Sequence, residues 1–284
     1  MEQKNKEIVK VVLAAFSDKG TVRDNNEDNL YSSVVNVINE KSDDSYKKTT
    51  VFDYSEQAKL FAVFDGIGGS YGGEIASLCA AKVFSEFYHK ITIEDINEPS
   101  DILSELKSDI EKSILQKDGF NAKNMPGTTC CALLIQNGKV LPFWVGDSRI
   151  YMLRGNKLIL LTKDHTVAQE KIDYGILTPE EAVTISGWHH LTAYIGDLNS
   201  NFSIGKEFEL EAGDKFLLCT DGISDKYKAI DIANYMNNGV EECLKAFEKD
   251  IKEESKDNAT AMLIEFKKSE RFSLGDILKI RSRT

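Results

Sequence analysis

Apolar runs of strand length set the pattern of this chain. Ile8 to Phe16 is the first. Leu60 to Phe64 is a compact second, ending at Asp65-Gly66. Thr128 to Ile135 leads into Asn137-Gly138, a dipeptide that favours a two-residue hairpin because both positions tolerate positive φ. Val140 to Val145 is then the returning strand. Arg149 to Leu153, a Gly155-Asn156 turn and Leu158 to Leu161 predict another hairpin, and Lys215 to Cys219 and Ala259 to Phe266 complete the set. Strands joined by hairpins imply antiparallel sheets. Helical spacing interrupts them in three places: Ile75, Cys79, Val83 and Phe87; Leu103, Leu106, Ile110 and Ile114, with Ser100 as N-cap; and Val240, Leu244, Phe247 and Ile251. The pattern predicts an α+β fold, a sandwich of sheets covered by helices.

Two stretches differ. Asn36 to Tyr46 is polar and reads as a surface loop or hairpin tip. Residues 164 to 202 read as short helix and loop, with Thr178-Pro179-Glu180-Glu181 as a helix start. An irregular segment of this length between strands often borders a site.

Composition narrows the classes. Lys and Arg number 35 against 46 Asp and Glu, a formal charge of −11, which argues against sequence-independent nucleic-acid binding. No run reaches the ~18 apolar residues of a membrane-spanning helix. The apolar Val11 to Phe16 follows acidic Glu2 and Glu7, so it reads as a strand rather than a signal peptide. The five cysteines, Cys79, Cys130, Cys131, Cys219 and Cys243, form no CxxC pair and read as reduced core thiols of a cytoplasmic protein.

The chemistry lies where the aspartates sit. Phe61 to Phe64 runs into Asp65-Gly66, Phe143 to Gly146 into Asp147, and Phe216 to Thr220 into Asp221-Gly222, while Asp257-Asn258 opens the run from Ala259. Any one Asp-Gly after a strand is ordinarily a turn. Taken together, antiparallel strands can bring all four to one edge. Clustered carboxylates repel unless a cation neutralises them or they take up protons. All-oxygen ligands favour Mg²⁺ or Mn²⁺. The histidines His89, His165, His189 and His190 lack zinc-ligand spacing and read as surface or core residues. A second cluster, Arg23-Asp24-Asn25-Asn26-Glu27-Asp28, is either a solvated turn or a phosphate-gripping Arg beside acids that hold metal water. Gly66, Gly68, Gly69, Gly72 and Gly73 fit neither a dinucleotide fingerprint nor a P-loop. They suit tight backbone beside Asp65, where a peptide carbonyl can reach a metal.

At these residues the sequence resembles the metal-dependent protein serine/threonine phosphatases of the protein phosphatase 2C family, in bacterial form. The motifs occur in family order over residues 8 to 266: Ser17 to Gly20 with Arg23 to Asp28, Phe64 to Gly69, Pro126 to Thr129, Val145 to Arg149, Thr220 to Asp225, and Asp257 to Thr260. The resemblance implies a four-layer α/β/β/α sandwich, two antiparallel sheets flanked by helices. It implies two Mn²⁺ or Mg²⁺ ions and hydrolysis of phosphoserine and phosphothreonine by direct attack of a metal-bridging water. Asp65 would bridge the ions, with the Gly66 carbonyl on one and Asp221 and Asp257 on the other. Glu27 and Asp28 would hold metal waters, Arg23 would bind the substrate phosphate, and Asp147 would serve a third, weaker metal with Asp221. Residues 164 to 202 would be the family's flap.

The chain departs from the pattern in two places. Ile67 stands where animal members carry a His held to be the proton donor, and Leu191-Thr192-Ala193-Tyr194 lacks the Arg that usually follows Leu-Thr. The expected organisation is a catalytic domain at 1 to 266 and a basic tail at 267 to 284. The expected partners are phosphorylated proteins, including a Ser/Thr kinase and its targets, for a cytoplasmic monomer that binds neither nucleic acid nor membrane. Two other readings stay open at this point: a catalytically weak phosphoprotein-sensing module on the same fold, and a phosphohydrolase of small phosphate esters.

Overall fold

The computed structural model describes residues 8–35, 45–68, 72–91, 99–182, 184 and 187–268. The first sheet is built from β1 (Ile8–Asp18), β3 (Tyr46–Asp53), β9 (Arg149–Arg154), β10 (Lys157–Leu160), β13 (Lys215–Cys219) and β14 (Ala259–Lys268), in the order β10-β9-β13-β14-β1-β3. The second holds β2 (Asn29–Ser32), β4 (Lys59–Phe64), β7 (Cys130–Gln136), β8 (Lys139–Val145), β11 (Ser203–Ile204) and β12 (Phe208–Glu209), in the order β11-β8-β7-β4-β2, with β12 also pairing β8. A short ribbon joins β5 (Gly66–Ile67) to β6 (Gly127–Thr128). Every pairing described is antiparallel.

Side-chain alternation makes the layers. On β4, Phe61 and Val63 face the other sheet, and Leu60, Ala62 and Phe64 face α1 (Gly73–Tyr88) and α2 (Pro99–Leu115). On β1, Val11, Leu13 and Ala15 face inward between the sheets, and Val12, Ala14 and Phe16 face α6 (Ala229–Asn237) and α7 (Val240–Glu254). The result is the expected α/β/β/α order. A strand covered on both faces reads as an unbroken apolar run, which is why β4 shows no polar alternation. Phe84 anchors the α1 side, fully buried with its ring edge-on to Phe64 at 4.9 Å. Burial of such a side chain stabilises by about 1.5–3 kcal/mol.

Several elements differ from expectation. The buried stripe of α1 is Ala76, Cys79, Ala80, Phe84 and Phe87, while Ile75 and Val83 are only partly covered. The alanines bring the helix close to the sheet and turn the larger side chains to its flank. α2 begins at Pro99, so Ser100 lies inside its first turn rather than capping it; proline suits that first position because its missing N–H has no partner there. Thr178 and Glu181 form the expected reciprocal cap of α4 (Pro179–Ala182), through Thr178 N to Glu181 Oε2 at 2.9 Å and Glu181 N to Thr178 Oγ1 at 3.2 Å.

Tyr46 opens β3, which pairs along β1 from Ser17↔Tyr46 to Lys10↔Asp53. The rest of the polar stretch, 36–44, lies outside the described residues, as does Gly69. Of the basic tail, only Lys267 and Lys268 are described, both within β14. No helix among the described residues is long and apolar enough to cross a membrane.

Candidate active site

Strand register alone brings the acidic loops together. β1 pairs β14 with Asp18 opposite Ala259, β13 pairs β14 with Cys219 opposite Ala261, and β9 pairs β13 with Arg149 opposite Cys219. In the second sheet Asn29 lies opposite Phe64, and Cys130 opposite Val145. The segments carrying Glu27-Asp28, Asp65, Asp147, Asp221 and Asp257 therefore leave the sandwich at the same end.

Each is then fixed locally. Thr129 breaks the run from Thr128 to Ile135, and the break is used. Its N–H donates to Asp65 O at 2.8 Å, its hydroxyl accepts from Asp65 N at 3.0 Å, and that hydroxyl lies 2.7 Å from Ser148 Oγ. Thus pinned, Asp65 stands beside Asp221, whose charge acts on it more strongly than that of any other acid. Gly66 must be glycine, because a Cβ there would lie 2.2 Å from Gly73 O and 2.5 Å from Glu27 O. Glu27 O in turn accepts from Gly66 N at 3.1 Å.

Beneath the carboxylates runs a hydroxyl network. Thr220 Oγ1 donates to Asp28 Oδ2 at 2.7 Å and accepts from Thr260 N at 3.0 Å. Ser17 Oγ lies 2.7 Å from Thr260 Oγ1 and accepts from Asn26 Nδ2 at 2.8 Å. Asn258 clasps the Arg23 loop: its Oδ1 accepts from Glu27 N at 2.8 Å, and its Nδ2 donates to Lys19 O and Asn25 O at 3.0 and 2.9 Å. Sequence reasoning gave these residues no role, although Asn258, Thr220 and Thr260 all sit beside the strand-end aspartates.

The structure does not gather all the expected ligands equally. Asp65, Asp221, Asp28, Asp147 and, more weakly, Asp257 face one another closely enough to repel. The Asp257 carboxylate, at the edge of this group, also accepts from Arg23 Nη2 at 2.8 Å and from Asn258 N at 2.9 Å. Among the described residues, the three side chains whose ligand atoms all lie within 4.8 Å of one another are His189, Asp221 and Asp225. Asp225 follows Asp221 by four residues across α5 (Asp221–Ser224), a spacing that places both on one side of the turn and could have been read. His189 carries no local signal; it arrives because the chain folds back.

The segment 164 to 202 is held at both ends. Arg149 grips Asp164 with Nε to Oδ1 at 3.0 Å and Nη2 to Oδ2 at 2.6 Å. His165 Nδ1 accepts from Gly146 N at 3.1 Å, so Nε2 carries the proton and donates to Ser203 Oγ at 2.9 Å. Burial lowers the pKa of this ring, in keeping with its neutral role. At the far end, Lys107 on α2 donates to Asp197 O at 2.9 Å and pairs with Glu111 at 2.5 Å, while Glu111 accepts from Gly196 N at 3.3 Å.

Electrostatics say what the site lacks. Burial, reinforced by neighbouring acids, pushes Asp28 and Asp147 up to about 8, Glu27 up to about 7 and Asp221 up to about 6, and raises Asp65 well above the carboxylate range. Asp28 Oδ1 is buried with no hydrogen-bond partner. Arg23, half-exposed, is the cation that meets this set, and its hydrogen bond goes to Asp257. A buried group of oxygen donors short of positive charge fits hard divalent ions.

The same shifts set a pH dependence in metal-free protein. Each group titrates higher when folded than its ordinary 3.8 (Asp) or 4.5 (Glu), so folding takes up protons. That contribution is complete below about pH 4 and is lost as pH rises through about 6 to 8. The melting temperature of chelated protein is therefore expected to fall between about pH 6 and about pH 8, and saturating Mn²⁺ to remove the fall. A chelated melting temperature that rises over this range would contradict the arrangement.

Residues 37–266 match the family model described as protein phosphatase 2C. Over 219 residues the chain is 31% identical to the serine/threonine protein phosphatase PstP of Mycobacterium tuberculosis, covering 75% of this chain and 36% of that one. The match thus spans about a third of that relative's length. Over 213 residues it is 26% identical to the serine/threonine phosphatase stp of Listeria welshimeri, covering 74% of this chain and 76% of that one. Among solved structures, the PstP catalytic domain in complex with two manganese ions superposes with a TM-score of 0.66 at 26% identity, over 90% of this chain and 98% of that one. The S. agalactiae serine/threonine phosphatase gives a TM-score of 0.71 at 23% identity over 90% of this chain and all of that one, a likeness of fold.

Proposed function

Since the chain belongs to the protein phosphatase 2C family, we propose that it hydrolyses phosphoserine and phosphothreonine in proteins with the help of divalent metal ions. The observation that carries this reading is the buried set of strand-end carboxylates, with Asp65 against Asp221 and Asp28 Oδ1 unpaired.

Asp65, Asp221 and Asp257, with the Gly66 carbonyl, would hold two ions, either Mn²⁺ or Mg²⁺. Glu27 and Asp28 lie behind them, and Asp147 with Asp221 offers a third, weaker position. When bound, such ions supply positive charge to a phosphoryl group and make water acidic enough to attack it.

The chain's own residues orient and exclude. Arg23 reaches the cluster from the loop that Asn258 clasps, and its planar fork suits two phosphoryl oxygens once it leaves Asp257. Thr220 fixes one oxygen of Asp28 and so aims the other at the site. Ile67 carries no titratable proton, so the leaving oxygen must be protonated from elsewhere. Segment 164 to 202, tied down at Asp164 and Asp197, would act as the flap that receives the peptide around the phosphorylated residue.

The substrates would be phosphoproteins, including the products of a Ser/Thr kinase. The five free cysteines, all buried, suit a reducing cytoplasm.

Phosphopeptide hydrolysis with Mn²⁺, before and after chelation, tests the reading. Chelator should abolish turnover, added Mn²⁺ should restore it, and Asp221→Asn should respond to neither. Turnover that survives chelation would end it.

A further inference from the structure

We propose that His189 is a metal ligand: its imidazole joins Asp221 and Asp225 in a mixed nitrogen–oxygen site for a transition-metal divalent ion, and the ion ties segment 164–202 to the floor of the active site. The inference rests on the divalent-metal reading above and adds to it a ligand from the flap.

Three observations converge. The ligand atoms of His189, Asp221 and Asp225 lie within 4.8 Å of one another. His189 Nδ1 stands 3.4 Å from Asp225 Oδ2, long for a charged hydrogen bond. Two donors each ~2.1 Å from one ion sit about 3 to 3.5 Å apart, so the gap is of the size an ion needs. Trp188 lies against the His189 ring, with centroids 3.5 Å apart, and so limits its rotation.

The independent observation is Asp147. It is 9% exposed and lines the same cavity of about 200 Å³ as His189, Asp221 and Asp225. No described cation or donor side chain pairs with its carboxylate. Arg149, two residues further along the chain and lining the same cavity, is committed to Asp164. A buried carboxylate facing a cavity without a counter-charge points to a cation in that cavity.

The imidazole changes which ion fits. Carboxylates alone suit Mg²⁺, which keeps its waters and prefers oxygen. A nitrogen ligand favours Mn²⁺ or Zn²⁺ over Mg²⁺. The site would thus fill with a transition metal, and its filling would hold Trp188 to Leu191 against α5.

Pulsed electron paramagnetic resonance of the full chain, titrated with Mn²⁺ beyond two ions per chain, is the test. Expected is hyperfine coupling to a directly bound imidazole nitrogen that changes when the histidines are isotope-labelled and vanishes in His189→Gln. His165 cannot supply it, because both its ring nitrogens are engaged. Calorimetry should show the third Mn²⁺ weakened at least ~10-fold in His189→Gln, with the first two unchanged. Mg²⁺ binding should change little. The isotope measurement needs no variant and stands even if the substitution disturbs folding. Absence of nitrogen coupling, or coupling and third-ion affinity that persist in His189→Gln, overturns the proposal. If two tight ions bind and no His189-dependent third does, only this inference fails. If no ion binds tightly, the phosphatase reading fails with it.

Discussion

Asp65→Asn is expected to lower phosphopeptide hydrolysis by at least ~10³-fold, a loss of about 4 kcal/mol of transition-state stabilisation. Arg23→Ala should cost only ~10². The two differ because of where they stand. Asp65 is locked by Thr129 and Thr128 at the end of β4, in contact with Asp221 at the centre of the acidic set. Arg23 lies at its rim, half-exposed, on a loop. Removing Asp65 disables the charge arrangement that gathers metal; removing Arg23 costs orientation of substrate. A second readout separates lost chemistry from lost folding. With chelator present, Asp65→Asn should melt no lower than wild type, because one member of a repelling set has gone. Steady-state kinetics with Mn²⁺ decide the matter: a variant retaining more than roughly a hundredth of wild-type kcat/KM would show that Asp65 is not central.

Lys107→Met is expected to destabilise the fold by about 3–5 kcal/mol. Lys107 and Glu111 lie one turn apart on α2, 5% and 9% exposed, and both reach the C-terminal end of segment 164 to 202. Methionine fills the space of the lysine stem but leaves Glu111 charged, buried and without its partner. The loss is a large share of the ~5–15 kcal/mol that holds a domain together. Thermal unfolding should shift by roughly 6–20 °C at this chain length. Lys107→Met with Glu111→Leu should recover most of it, since an apolar pair of similar volume removes the stranded charge. A single variant melting within about 2 °C of wild type would mean the pair contributes little.

Most of the architecture was legible because both sheets are buried on both faces. β1, β4, β7, β8, β13 and β14 announce themselves as apolar runs, and their terminal aspartates mark the end at which the site forms. β3 was not legible. It is an edge strand whose Lys47, Lys48, Thr49 and Thr50 offer no apolar run, and such polar side chains are what an edge needs to discourage pairing with another molecule. β2 is only four residues and follows a turn-like acidic cluster. The site was legible as a list of acids and not as a geometry. Sequence grouped Asp257 with Asp65 and Asp221 but did not show that its carboxylate also meets Arg23. Long-range pairs such as Asn258 with Glu27 depend on β1 meeting β14, and no local window shows that.

The sealed thiols carry a consequence for how this chain would behave in a stressed cell. All five sit inside the layers, and burial raises the pKa of Cys130 and Cys131 and holds Cys243 up at about 12. Peroxide and alkylating reagents attack the thiolate, which Cys130, Cys131 and Cys243 scarcely form. Dephosphorylation that depends on aspartates rather than on a reactive sulfur would continue through an oxidative burst, while enzymes built around a nucleophilic cysteine fall silent.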